Sequence, residues 1–300
     1  IFEIKDIFNK YKYFDNDEIK EKFKNRLNNK NIENILKIDF KKEISYIFSN
    51  KGRILTNFYY IQKNFNDLKP YLDYYSYVDC WSSVSFLYKK NNLSLPQYLI
   101  NNKPYINLEQ FNNIGIQNSV KNDIILKDKN LIITGPNASG KSTFLKSIIL
   151  NIILAQTISL SSSKKFIITP FTHINTYLNI PDCQGKESLF QAEMNRCYNQ
   201  IELLKKTKKN EFVFTIMDEI FVSTNYQEGV SGAYAISKKM SQFNNSLCIV
   251  STHFPILCKV FDNTNKFKNY YFSIEENNKK TYKIKEGYSK QHIALELLNQ

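Results

Sequence analysis

The sequence predicts an α/β domain with a mainly parallel sheet, preceded by an all-helical segment. Three observations carry that expectation. Residues 1 to about 90 hold one glycine, Gly52, and one proline, Pro70, and their apolar residues recur at spacings of three, four and seven. From Pro96 onward, short β-prone runs alternate with helix-like stretches, the pattern of a parallel sheet covered on both faces. Between them, LIITGPNASGKSTFLKS (131–147) passes from an apolar run through a glycine-bounded turn into a helix.

The helical part, 1–95, opens with amphipathic stretches such as DEIKEKFKNRLNNKNIENILKI. LDYYSYVDCWSSVSFLYKK (72–90) predicts a deeply packed helix, with Leu72, Tyr75, Val78, Trp81 and Phe86 on one broad buried side. In the second part, 96–300, strands are expected at YINL near Tyr105, DIIL (123–126), NLIIT (130–134), KFIIT (165–169), FVFTIM (212–217) and SLCIVS (246–251). Helices are expected over 141–159, 188–206 and 227–243. NYYFSIEE and KTYKIKEG flank NNK as an antiparallel hairpin, and KQHIALELLNQ closes the chain as a last helix.

The chain is 42% apolar and 14% aromatic, enough for a sizeable core, and carries a formal net charge of +13. A polyanion such as nucleic acid or nucleotide suits that excess, and so does a plain lysine-rich solvated surface. The five cysteines form no C-x-x-C pair and the histidines number three, which argues against a zinc cluster or a disulfide framework and for a reducing, intracellular compartment. The longest apolar stretch, FLKSIILNIILAQTISL, is broken by Lys146, Asn151 and Gln156, so no membrane span or membrane partner is expected. Ile1 stands where a start methionine would, as in a piece of something longer.

Gly135-Pro136-Asn137-Ala138-Ser139-Gly140-Lys141-Ser142, followed by Thr143, fits G-x-x-x-x-G-K-[ST] between a strand and a helix. Small residues let backbone N–H groups turn inward around phosphate oxygens, and the helix adds its positive end. Lys141 is placed to reach β- and γ-phosphates, and the Ser142 hydroxyl to reach Mg²⁺. FVFTIMDE supplies the carboxylates such a loop needs on a neighbouring strand: Asp218 for Mg²⁺ and Glu219 for orienting or deprotonating the attacking water. CIVSTH ends a third strand in His253, a candidate γ-phosphate sensor or water holder.

These residues resemble the MutS family of DNA mismatch-repair ATPases, within the ABC-type ATPases. ITGPNASGKSTFLKS is similar to that family's phosphate loop, ESLFQAEM (187–194) to its S-T-F-x-x-E-M stretch, and MDEIFVSTNYQEG to its Walker B strand and following loop. STHF is similar to its A-T-H-Y switch, VKNDIIL to its N-D-x-x-L, and YKIKEGYSKQHIALELL to its closing segment. The resemblance implies an ABC-type P-loop ATPase domain using ATP and Mg²⁺, with the helical part as the end of the family's core and lever. It implies a composite site in which Ser188 of one subunit contacts the γ-phosphate held by a second MutS-like subunit, with residues 223–225 across the dimer interface. It also implies double-stranded DNA, mismatched or branched, as the partner whose grip ATP controls.

The departures from that pattern are specific. Phe221-Val222-Ser223-Thr224-Asn225 replaces G-R-G-T-S-T, and Tyr177 stands where an arginine is usual before the signature. Glu187-Ser188-Leu189 stands where Ser-Thr is common, and Val120 or Ser119 stands where an aromatic stacks on adenine. They bear on nucleotide preference and hydrolysis rate, and keep open a DNA-binding module that has lost hydrolysis. A membrane-transport ATPase subunit would show L-S-G-G-Q before Walker B, where GKESLFQAEM stands, and an SMC-type ATPase would show long heptad arms.

Overall fold

The computed structural model describes residues 50–90, 93–136, 138–178, 189–262, 264–274 and 280–287. The chain divides into two units, 1–87 and 88–300. The expected helices before residue 50, and the closing helix at 290–300, lie outside the described residues.

In the first unit, α1 (Asn50–Lys63) is followed by α2 (Phe65–Lys90), which runs on past the unit boundary. The expected broad buried side of α2 is corrected here. Leu72, Tyr75, Trp81 and Phe86 are exposed, Phe86 at 60%, and Val78 is half-buried. Tyr77, Leu87 and Tyr88 are exposed as well. Apolar residues go round this helix instead of forming one stripe, so one neighbouring element cannot cover them.

The second unit is built of layers. Strands β1 (Gln97–Tyr98), β2 (Tyr105–Phe111), β3 (Asn122–Lys127) and β5 (Lys165–Ile168) form one sheet in the order β1-β5-β2-β3, with only the β1–β5 pair parallel. The remaining strands are β4 (Asn130–Thr134), β6 (His173–Tyr177), β7 (Val213–Asp218), β8 (Ser246–Ser251), β9 (Phe267–Ile274) and β10 (Lys280–Glu286). They form a second sheet in the order β10-β9-β4-β8-β7-β6, parallel throughout except for the β9–β10 hairpin. The expectation of a mainly parallel sheet therefore holds for this sheet, while three runs expected within it make a separate, largely antiparallel one.

Helix α3 (Lys141–Ile158) lies between the two sheets. Its Phe144, Leu145, Ile148 and Ile152 pack with Ile106, Leu108 and Phe166 of the first sheet, and with Leu131, Ile133, Phe214 and Ile249 of the second. Alternate residues of the same parallel strands point the other way, and Ile132, Met217, Cys248 and Val250 face the layer of α4 (Leu189–Lys206), α5 (Tyr226–Met240) and α6 (Pro255–Asp262). A parallel strand buried on both faces is a near-continuous apolar run, and β4 and β8 are buried end to end with polar residues only at their ends. Among the described residues, no helix is long and apolar enough to cross a membrane.

Candidate functional site

The C-terminal ends of β4, β8 and β7 come side by side at one edge of the parallel sheet, where such folds place their ligands. The carboxylate strand is not next to the loop strand: β8 lies between them, paired with β4 on one side and β7 on the other. Sequence order hides this, because β8 is the last of the three in the chain.

The loop after β4 is shaped by backbone that most residues avoid. Gly140 caps α3 in the left-handed region at φ 94, and Ala138 also has a positive φ of 58. A Cβ on Gly135 would lie 2.9 Å from Ser139 Oγ and 3.2 Å from Phe272 Cβ, so a larger residue there would have to displace its neighbours. Ser139 is buried, and its hydroxyl has no hydrogen-bond partner. Pro136 is half-buried, Ser142 half-buried and Thr143 exposed on the first turn of α3, while Asn137 lies outside the described residues.

Lys141 is only 5% exposed and curls back over the loop. Its Nζ donates to the carbonyls of Gly135 at 3.0 Å and Pro136 at 3.3 Å, and pairs with Glu219 Oε1 at 2.9 Å. Glu219 is brought there by a kink: it has φ 50 and Phe221 φ 60, and its N–H donates to the carbonyl and hydroxyl oxygens of Ser251, each at 3.1 Å. Two left-handed non-glycine residues beside a candidate catalytic carboxylate are local strain held in place by the surrounding structure. Part of that hold is visible on α5, where a Cβ on Gly229 would come within 2.6 Å of the Phe221 carbonyl oxygen.

Asp218 stands opposite Ser251 in register and accepts a short hydrogen bond from its hydroxyl. Beyond β8, the Thr252 N–H donates to Ile133 O at 3.0 Å, which fixes the end of β8 to β4. His253 follows, exposed, its ring 4.1 Å from that of Phe254. Burial lowers its pKa below the ordinary value; the nearby Glu219 charge works against that shift and Lys141 with it. The structure thus gathers Lys141, Asp218, Glu219 and His253 about one point. Ser188 lies outside the described residues, directly before α4 in the chain.

Three features of the site rest on contacts that the sequence does not show, although their residues fall in the STHF, VKNDIIL and YKIKEGYSKQHIALELL stretches. Ser251 is one, as the partner of Asp218. The other two concern a cavity of about 360 Å³ beside the loop, lined by Phe111, Ile116, Val120, Phe144, Phe272 and Tyr282. Tyr282 is placed by an irregularity in the β9–β10 pairing, at φ 55, so that its ring meets Gly140. Asn122 fixes that strand, its amide donating to Tyr282 O at 3.0 Å and accepting from Ile284 N at 3.0 Å.

Fold and site define an α/β protein whose glycine-bounded loop delivers a buried lysine to the Glu219 carboxylate, next in the chain to Asp218, at the C-terminal edge of a parallel sheet. Residues 131–299 match the family profile described as MutS domain V. The chain belongs to the MutS family. It is 32% identical over 187 residues to the DNA mismatch repair protein MutS of Thermotoga petrophila, covering 60% of this chain and 23% of that protein. It is 36% identical over 138 residues to the MutS of Thermotoga neapolitana, covering 45% and 16%, and 29% identical over 230 residues to that of Clostridium botulinum, covering 72% and 24%. The chain spans about a quarter or less of the length of these curated relatives.

Proposed function

We propose that this chain is the ATPase portion of a MutS-like DNA mismatch-repair protein. Residues 96–300 bind and hydrolyse Mg²⁺·ATP as an ABC-type P-loop domain, and residues 1–95 belong to the core and lever that it moves. The observation that carries this reading is the meeting of Lys141 with Glu219 at 2.9 Å, next to Asp218, over a tight glycine-bounded turn. The residues present fit a triphosphate and its metal. The buried Ser139 hydroxyl has an open hydrogen-bonding capacity that a phosphate oxygen fills, and Ser142 with Asp218 offers the hard oxygen donors that Mg²⁺ takes. When bound, Mg²⁺ neutralises charge that develops on the phosphates.

The loop from Gly135 to Thr143 cradles the phosphates with backbone N–H groups, to which Pro136 contributes none. Lys141 exchanges the carbonyls of Gly135 and Pro136 for phosphate oxygens, and thereby releases Glu219. Glu219 then takes the proton of the attacking water as general base. His253 senses the γ-phosphate and holds that water. The base of the nucleotide enters the cavity beside Gly140, where Tyr282 supplies the aromatic face that Val120 does not. Ser188 of a second MutS-like subunit, like or unlike, completes the site, with residues 223–225 at the interface, so that ATP closes the pair around double-stranded DNA carrying a mismatch or a branch.

Two experiments test this. ATP turnover is measured with plain, mismatched and branched duplex; stimulation by the irregular duplexes is expected, and turnover indifferent to DNA speaks against the repair reading. Ser188→Arg chains are then mixed with Lys141→Ala chains. One intact composite site per mixed dimer is expected, with activity recovered over either variant alone; no recovery speaks against a serine supplied in trans.

A further inference from the structure

Glu193 is the most deeply buried carboxylate among the described residues, at 3% exposure, and no step above uses it. It lies on α4, about one turn from the helix start. Its Oε2 accepts from Ser223 Oγ at 2.5 Å. Ser223 belongs to the loop that leaves Glu219 and ends at Asn225, the N-cap of α5. A second contact joins the same two elements, the Phe190 ring packing 5.8 Å from that of Phe221.

Helix α4 is itself anchored. Arg196 Nη2 donates to Thr176 O at 2.8 Å on edge strand β6, and Gln200 donates to Thr215 Oγ1 on β7. The Tyr177 hydroxyl is buried beside Glu193; burial first, and then the neighbouring carboxylate, hold its pKa above the ordinary value. A buried carboxylate that loses a donor is penalised, so Glu193 favours keeping Ser223 where it is. The other end of that loop is the left-handed Glu219, whose carboxylate must leave Lys141 and turn to water.

We propose that Glu193 is a positioning residue: through Ser223 it fixes the loop that carries Glu219 and joins that loop to α4, the helix that begins directly after Ser188. One chain then links the carboxylate of its own ATP site to the serine it lends to its partner's site. The inference rests on the reading of the site as an ATPase, but its first test does not.

That test is hydrogen exchange of the full chain without nucleotide, comparing wild type with Ser223→Ala, Ser223→Thr, Glu193→Met and the Ser223→Ala/Glu193→Met pair. Ser223 is on the surface, so its variants leave the core intact. Exchange across 219–225 is expected to rise about tenfold in Ser223→Ala and in Glu193→Met. It is expected to return to wild type in Ser223→Thr, and to rise no further in the double variant. Exchange within twofold of wild type in Ser223→Ala, or effects that multiply in the double variant, overturns the proposal. The second test is turnover: Ser223→Ala keeps ATP affinity within twofold and loses about tenfold in kcat, and Ser223→Thr recovers it. Weakened affinity with kcat unchanged overturns the positioning role. A wild-type chain that does not turn over ATP would instead contradict the ATPase reading and leave the exchange result to decide this one.

Discussion

Replacing Lys141 with methionine separates binding from stability, because the two uses of this lysine differ in size. The side chain is nearly closed off from solvent, with Nζ 2.9 Å from Glu219 and 3.0 and 3.3 Å from two carbonyls. Glu219 is about one-third exposed, so solvent screens the pair and its loss costs roughly 1 kcal/mol. Methionine keeps the apolar stem and removes a buried cation that is expensive to desolvate, which offsets the two lost carbonyl bonds. Without nucleotide, the variant is therefore expected to melt within about 2–4 °C of wild type. With ATP, each charge-assisted hydrogen bond to phosphate contributes about 1.5–3 kcal/mol. Two such bonds, less about 1–2 kcal/mol for the contacts Lys141 gives up, leave a net loss of about 2–4 kcal/mol. That is roughly 30- to 1000-fold in affinity. Equilibrium titration with a fluorescent ATP analogue in Mg²⁺, beside a thermal melt, reads both quantities. Affinity within threefold of wild type, or a Tm lower by about 10 °C or more, would refute the reasoning and make Lys141 a structural residue.

Other consequences can be measured independently. His253 has a pKa lowered chiefly by burial, so the unfolded chain takes up the proton before the folded one. Stability is then complete above about pH 6.5 and declines as pH falls from there through the lowered folded value. Melts at pH 7.5 and 5.5 are expected to show a larger acid loss in wild type than in His253→Gln, and equal losses would contradict this. Gly140→Ala places a Cβ 2.9 Å from the Tyr282 ring at φ 94; it is expected to cost about 1–2 kcal/mol and to weaken ATP binding as Tyr282 is displaced, and a variant with wild-type Tm and affinity counts against the cavity as base site. Ile148→Ala empties a fully buried position where α3 meets both sheets; denaturant unfolding is expected to show a loss of about 2–5 kcal/mol, and a loss under about 1 kcal/mol would mean that α3 is not the central layer.

What the sequence revealed follows from where the physical constraint is local. NLIIT and SLCIVS are buried on both faces, so their strands are contiguous apolar runs with sharp ends. HINTY, by contrast, is the edge strand β6, half-buried for most of its length and paired on one side only, so it carries no apolar run. PILCKVFD is a single short helix after a strand, below the length at which periodicity registers. Strand β1 is two residues long and exists because β5 pairs with it. The division of strands between two sheets is likewise tertiary. YINLEQF and DIILK look no different in sequence from the strands of the parallel sheet.

The site divides in the same way. A glycine-bounded turn before a helix is short-range backbone chemistry, so Gly135 through Thr143 could be read directly, as could two carboxylates at a strand end. Tyr282 depends on a strand irregularity, Ser251 on register across two strands, and Glu193 on a contact with Ser223, far along the chain. Each residue lies in a recognisable stretch, but its contact is set by folding and is not written in that stretch.

The central claim is that Glu219, released by Lys141, activates water at an ATP site on the edge of the parallel sheet. Single-turnover hydrolysis of ATP by wild type and Glu219→Gln, each with its nucleotide affinity measured alongside, tests it most directly. Affinity within about threefold and a hydrolysis rate lower by about 100-fold or more are predicted; equal rates at equal affinity would contradict it.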